Sequence, residues 1–302
     1  MADSADTFDP AHLMGHVQDA EYFEVPRGLS PNGDGHLAIP QLIKQSEPIL
    51  TIKTGFAPID ERIQPFDLAL TKFMIIELVA AIFVALAFIW LAAALSKGRA
   101  ARGRLANLFE SMLLFIRDEV ARPAIGHHDA DKFLPLLWTI FFFILGCNLM
   151  GLVPWLGSPT GALATTGTLA LVTFGTVVGA GMAKMGPIGF WTGQVPHMDL
   201  PLPLAILLKP MIFLIEVMGM FIKHFILAMR LLANMMAGHL VLAVIIGFIA
   251  AAAGSVAWWG VAPASVLGAT ALNLLELFVA FLQAYIFTFL SALFIGMAVH
   301  PH

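Results

Sequence analysis

Arg230 stands near the middle of an apolar stretch, Met211 to Ala253, that is long enough to cross a bilayer. A charge at such depth costs ~2.5–3.5 kcal/mol on insertion scales, and a guanidinium keeps its proton at every physiological pH. Burial therefore does not neutralise it, and an anion or water must meet it. Glu216 and Lys223 precede it at intervals of seven, and Asn234 follows four residues later. A step of seven drifts only about 20° around a helix, so these residues share one polar stripe. A second set, Asn273, Glu276 and Gln283, lies in the apolar run from about Ala264 to Val299. Opposed polar stripes on two neighbouring long helices suggest a shared aqueous path, and the chemistry is ion movement. Each residue also has a plainer reading. The charges can pair between helices for packing alone, and Lys223 can snorkel to the inner surface. His239 falls on roughly the opposite face from Arg230 and can be a hydrogen-bonded packing residue.

The composition says what carries these residues. The chain is 59% hydrophobic and 12% charged, where soluble domains hold about 25% charged residues. Its mean hydropathy is +0.86. The expected fold is an all-α polytopic membrane protein with about five membrane helices and an amphipathic helix on the cytoplasmic side. The last two helices are each too long for one perpendicular crossing, which strong tilt resolves. A net charge of −4 gives no basic surface for nucleic acid. The single cysteine, Cys147, sits in an apolar run and reads as packing, with no disulfide framework. No GxxxxGK[ST] loop and no metal-ligand cluster occur, and His127 and His128 read as surface residues, so neither cofactor nor metal is expected.

Residues 1–66 form a polar extramembrane tail and residues 67–302 a membrane channel domain. The first 20 residues carry Asp3, Asp6, Asp9 and Asp19 and hold neither the apolar core of a secretory signal nor an Arg-rich transit sequence. The first span, Leu68 to Leu95, is broken only by Thr71, Lys72 and Glu77, and Lys97, Arg99, Arg102 and Arg104 follow it. The positive-inside rule puts that cluster in the cytoplasm and the tail outside. Leu105, Leu108, Met112, Phe115 and Ile116 then recur at helical spacing, as in an amphipathic helix on the cytoplasmic face. Phe133 to Trp155 runs outward and Ala162 to Met182 returns. Prolines 187, 196, 201, 203 and 210 make the next stretch too proline-rich for a regular span, and partly re-entrant. Met211 to Ala253 runs outward, and Ala264 to Val299 ends with His300 and His302 in the cytoplasm. These directions put His239 and Glu276 together on the outer side of the midplane, where histidine and glutamate can pass a proton. Glu216 and Lys223 fall on the inner side. Polar groups on both sides of a fixed positive charge have the form of two half-channels separated by a barrier.

Three segments carry a resemblance. Met229 to Leu240, MRLLANMMAGHL, and Leu272 to Phe294, LNLLELFVAFLQAYIFTFLSALF, resemble the two signature helices of subunit a of the F-type rotary ATP synthase. Lys132 to Pro154, KFLPLLWTIFFFILGCNLMGLVP, resembles the preceding helix of that family. The likeness covers about Leu68 to Val299 and leaves out the first 65 residues, a longer tail than is usual. The resemblance implies a proton channel set against a ring of c subunits, with peripheral-stalk b subunits and the remaining synthase subunits as further partners. Arg230 matches the arginine that faces the ring carboxylate, and Asn234, Gln283 and Glu216 match polar positions. His239 and Glu276 match a pair that other members carry in reverse order. The acidic residue that some members carry just after the asparagine matching Asn148 is replaced by Gly151. A carboxylate approaching Arg230 is favoured in its ionised form by the adjacent positive charge and releases its proton to water in one half-channel, and the same charge repels hydronium and blocks a direct leak. Two rival classes stand beside this one: a secondary transporter with its own substrate site, and a structural subunit that anchors partners through its tail. A bacterial plasma membrane is the expected location, with an organelle inner membrane as the alternative.

Overall fold

The structure, a computed structural model, describes residues 19–24, 36–41, 70–95, 103–153, 156–195 and 202–300. Most of the tail, Lys97, Arg99, Arg102, Pro154, Pro196, Pro201 and His302 lie outside them. The helices in order are α1 (Lys72–Leu95), α2 (Arg104–Phe115), α3 (Arg122–Ile125), α4 (Ala130–Gly151), α5 (Leu163–Met185), α6 (Pro187–Thr192), α7 (Leu202–Ala251) and α8 (Trp258–Val299). A π-helical segment, Ile116–Ala121, joins α2 to α3, and a 3₁₀ turn, Pro159–Gly161, precedes α5. Helices α1, α4, α5, α7 and α8 are long and apolar enough to cross a membrane. The chain is thus an all-α polytopic membrane protein.

Two short tail strands, β1 (Tyr22–Glu24) and β2 (His36–Ala38), pair antiparallel with Phe23 opposite Leu37. The tail is tied to the start of α1, where Lys72 N–H donates to the Ala20 carbonyl at 2.8 Å and Phe73 N–H to Asp19 Oδ1 at 3.2 Å. These bonds satisfy amides that a helix start leaves without intrahelical partners.

Helix α8 forms the centre of the bundle. From Gln283 to Val299 its buried residues, among them Phe287, Ala292, Ile295 and Val299, pack between α4, α5 and α7. Helix α7 buries one narrow face, Leu227, Ala228 and Leu231, and leaves Leu214, Phe221, Phe225 and Ile226 exposed. In α5 every threonine but Thr165 returns its hydroxyl proton to a carbonyl four residues back, as Thr168 does to Ala164 at 2.7 Å and Thr176 to Val172 at 2.8 Å. That habit lets a Thr-rich helix lie in an apolar medium without unpaired hydroxyls. Gly181 of α5 is needed for close approach, since a Cβ there would overlap the Phe190 ring and meet the Ala298 carbonyl.

Three boundaries differ from the sequence expectation. Helix α7 begins at Leu202 and runs through Pro210, and α8 begins at Trp258 and runs through Pro263. Both prolines fall within the first nine residues of their helices, where the missing N–H removes a bond near an end and the rest of the ladder continues. The proline-rich stretch before α7 is also partly helical, as α6. In the amphipathic segment the expected apolar set is divided: Ile116 is buried and Met112 packs on the core, whereas Leu105, Leu108 and Phe115 form an exposed face. That face is free to lie against lipid.

At the end of the bundle where α4 starts, Asp129 draws together side chains from three segments. Lys184 of α5 lies 2.6 Å from its carboxylate, Lys132 of α4 lies 3.0 Å away, and His300, just past α8, lies 3.7 Å away. The two lysines hold the Asp129 carboxyl well below the usual carboxylate range. Asp118 is held low in the same way, first by Arg117 and then by Arg122.

Candidate functional site

Two polar groups form where α7 and α8 run side by side. In the first, Arg230 and Asn234 of α7 face Gln283 of α8, which is buried. Asn234 Nδ2 donates to Gln283 Oε1 at 3.0 Å. With the amide turned end for end, its oxygen lies instead 3.3 Å from Arg230 Nε. The turned amide is the one that suits its neighbours, since its oxygen then also accepts from the Leu231 N–H at 3.2 Å. Arg230 is partly buried, and its Nη2 is buried with no hydrogen-bond partner among the described residues.

The second group lies further along α7, toward the α7–α8 turn. His239 Nε2 is 2.9 Å from the Gly151 carbonyl at the end of α4, and Nδ1 is 3.0 Å from the Met235 carbonyl. Carbonyls only accept and a neutral imidazole has one N–H, so the neutral ring serves one of them and the imidazolium both. Glu276 of α8 lies beside it. A Cβ on Gly238 would overlap Glu276 Oε1, and that oxygen is buried without a partner. The glycine is what lets the carboxylate approach the backbone next to His239.

Gly151 has its own reason to be small. A Cβ there would fall 2.5 Å from the Ser158 Cβ. An acidic side chain does not fit at this position, and the backbone carbonyl is turned to His239 in its place. Around it runs a buried network. Asn148 Nδ2 donates to the Ala280 carbonyl of α8 at 3.3 Å, Thr160 Oγ1 donates to Asn148 Oδ1 at 2.7 Å, and Ser158 and Thr160 hydroxyls are 2.8 Å apart. The network ties the ends of α4 and the 3₁₀ turn to α8 beside the His239 group.

Glu216 and Lys223 are exposed on α7, toward the Asp129 end, and with His224 they line a cavity of about 280 Å³ between α5, α6, α7 and α8. Asn273 is exposed, and none of the side-chain hydrogen bonds among the described residues involves it. The structure thus joins Arg230, Asn234 and Gln283, sets Glu276 against the residue next to His239, and leaves Asn273 apart from both.

Three polar features escaped the sequence reading. His224 is 5% exposed, yet it follows Lys223 and so looks like part of a solvated pair. Asn148 figured only as a landmark, and Ser158 and Thr160 carried no sequence signal. Glu77 of α1 looked like an interruption of an apolar run, but Thr165 Oγ1 of α5 donates to its Oε1 at 2.5 Å, and with Asp19 and Thr168 it lines a cavity of about 380 Å³. The one available signal for Glu77 was its charge inside a membrane span, the argument already applied to Arg230.

Residues 73–296 match the family described as ATP synthase A chain. The chain is 44% identical over 243 residues to ATP synthase subunit a of Myxococcus xanthus, covering 78% of this chain and 76% of that protein. It is 42% identical over 237 residues to ATP synthase subunit a of Chloroherpeton thalassium, covering 78% of this chain and 68% of that one. A match across most of the chain, together with five apolar helices, makes this protein a member of the ATP synthase A chain family, in the proton-translocating membrane sector of the synthase.

Proposed function

We propose that the chain supplies two aqueous half-channels that load and unload the carboxylates of a rotating c-ring, with Arg230 as the charge that separates them. The observation that carries this reading is the Arg230 guanidinium: it is partly buried on a membrane helix, cannot lose its proton, and has a buried nitrogen without a partner among the described residues. A carboxylate from another chain meets that need. Gln283 supplies the acceptor beside the guanidinium, and Asn234 lies against the same amide.

In this mechanism a protonated ring carboxylate approaching Arg230 gives its proton to water in one half-channel and passes as an ion paired with the guanidinium. It is reprotonated from the other half-channel. His239 and Glu276 serve the outer path and Glu216 and Lys223 the inner one, with Asn273 near the outer mouth. The tail lies outside and the C-terminus in the cytoplasm of a bacterial plasma membrane, with b subunits and the other synthase subunits as partners.

Arg230→Ala should abolish ATP-driven pumping and ATP synthesis in proteoliposomes, normalised to assembled complex, and Arg230→Lys should fail as well because a buried lysine can deprotonate. Near-normal coupled synthesis in Arg230→Ala overturns the proposal. Orientation is tested separately by labelling Ser4→Cys and Ser96→Cys, each in a Cys147→Ser background, with an impermeant reagent on intact cells. Labelling at 4 and protection at 96 are expected, and the opposite pattern reverses the topology.

A further inference from the structure

His224 is a buried titratable residue that the mechanism above leaves unused. It sits six residues before Arg230 on α7, about 9 Å along the helix axis. Its Nδ1 lies 2.8 Å from the Met220 carbonyl, a bond that requires the proton on Nδ1. In the neutral ring Nε2 is then a bare lone pair, and it is buried with no partner. Two aromatic rings fix the imidazole plane: Phe174 of α5 stands edge-on at 5.2 Å and Phe294 of α8 lies at 5.0 Å. A phenylalanine would fill this aromatic box without leaving an unbonded acceptor buried.

The histidine borders the cavity of about 280 Å³ described above. At ~30 Å³ per water such a space holds several molecules. Glu216 and Lys223 are the charged residues lining it, Gln194 adds a neutral amide, and the walls from α5, α6 and α8 are apolar. The ring is thus a fixed base at the edge of a small chamber whose polar side chains come from α7 and Gln194, between the level of Arg230 and that of Glu216.

Taking as given the reading of the chain as a proton channel, we propose that His224 is a proton-relay residue of the inner half-channel. Nε2 takes a proton from cavity water on the Arg230 side: the O–H bond of a hydronium breaks as the Nε2–H bond forms. It then returns that proton to water on the Glu216 side. The Nδ1–H stays on the Met220 carbonyl throughout, so the ring alternates between neutral and cationic forms without turning over. Glu216 draws the proton onward, and Lys223 opposes its accumulation.

The test uses the whole complex in proteoliposomes, with rates normalised to assembled c-ring and subunit a. His224→Phe keeps the aromatic packing and removes both nitrogens. ATP-driven pumping and ATP synthesis should each fall at least about tenfold. His224→Ala should fall as far, and added imidazole should restore a large part of the rate while pyrazole, of equal size but a much weaker base, should not. If His224→Phe fails to assemble, the His224→Ala rescue decides alone. Rescue by imidazole only supports the relay, whereas equal rescue by both, or none, overturns it. Wild-type rates in His224→Phe also overturn it. That outcome alongside an inactive Arg230→Ala complex removes only the relay, whereas an active Arg230→Ala complex removes the channel reading itself.

Discussion

The two ends of the α7–α8 groove follow opposite rules. Toward the α7–α8 turn, His239, Asn148, Thr160 and Ser158 are bonded to the protein, through carbonyls of α4, α7 and α8 and through each other. Toward the Asp129 end, Glu216 and Lys223 are exposed and His224 keeps an unbonded nitrogen. The protein itself bonds these polar groups at the first end, with the buried Glu276 Oε1 as the exception, whereas water must serve those at the second. Substitutions at the bonded end should therefore cost structure and flux together, and substitutions at the open end should cost flux alone.

The largest effect should come from the His239 and Glu276 pair. Replacing either with leucine should lower coupled proton flux about 100-fold, the scale of a lost general acid or base. Exchanging them, His239→Glu with Glu276→His, should restore part of it. An exchange no better than the worse single variant breaks the idea that they act as a pair. Next in size, Gly151→Ala should destabilise by about 1–3 kcal/mol, because its Cβ meets Ser158 and the surroundings are already packed. Thermal dissociation of the detergent-solubilised complex measures this, and an unchanged midpoint would show that the bonded end tolerates expansion. The smallest effect belongs to Asp129→Asn, which removes a depressed carboxylate and adds a pH dependence to the comparison. Since the folded-state value lies below the unfolded one, the stability from this group is fully present above the unfolded range, near 4, and fades as pH falls toward the folded value. The thermal midpoints of wild type and Asp129→Asn should differ at neutral pH and converge in acid. A gap that widens on acidification would mean that Asp129 is not the clamp.

The membrane spans were legible because apolar runs of about 20 residues have few alternatives. The Arg230 and Glu276 sites were legible for the same reason inverted, since a charge in such a run stands out. Helix starts were misplaced where Pro210 and Pro263 were taken as boundaries, although each deletes only one bond near an end. The environment of His224 was hidden because Phe174 and Phe294, which bury it, come from helices distant in sequence. Asn148 was quoted only as a landmark, because its partners, Thr160 and the Ala280 carbonyl, are brought to it by the fold. Periodicity reports which face a residue occupies and says nothing of what another helix places there.

Because Glu276 lies on the α-carbon of Gly238, the two positions share one fixed volume. A methyl group at 238 is admitted only if the acid opposite retracts by a methylene. Gly238→Ala should therefore be accommodated together with Glu276→Asp and not alone. Position 238 selects for the reach of its neighbour and not for its charge, and the two helices can trade one carbon across the groove while the distance between their axes stays the same.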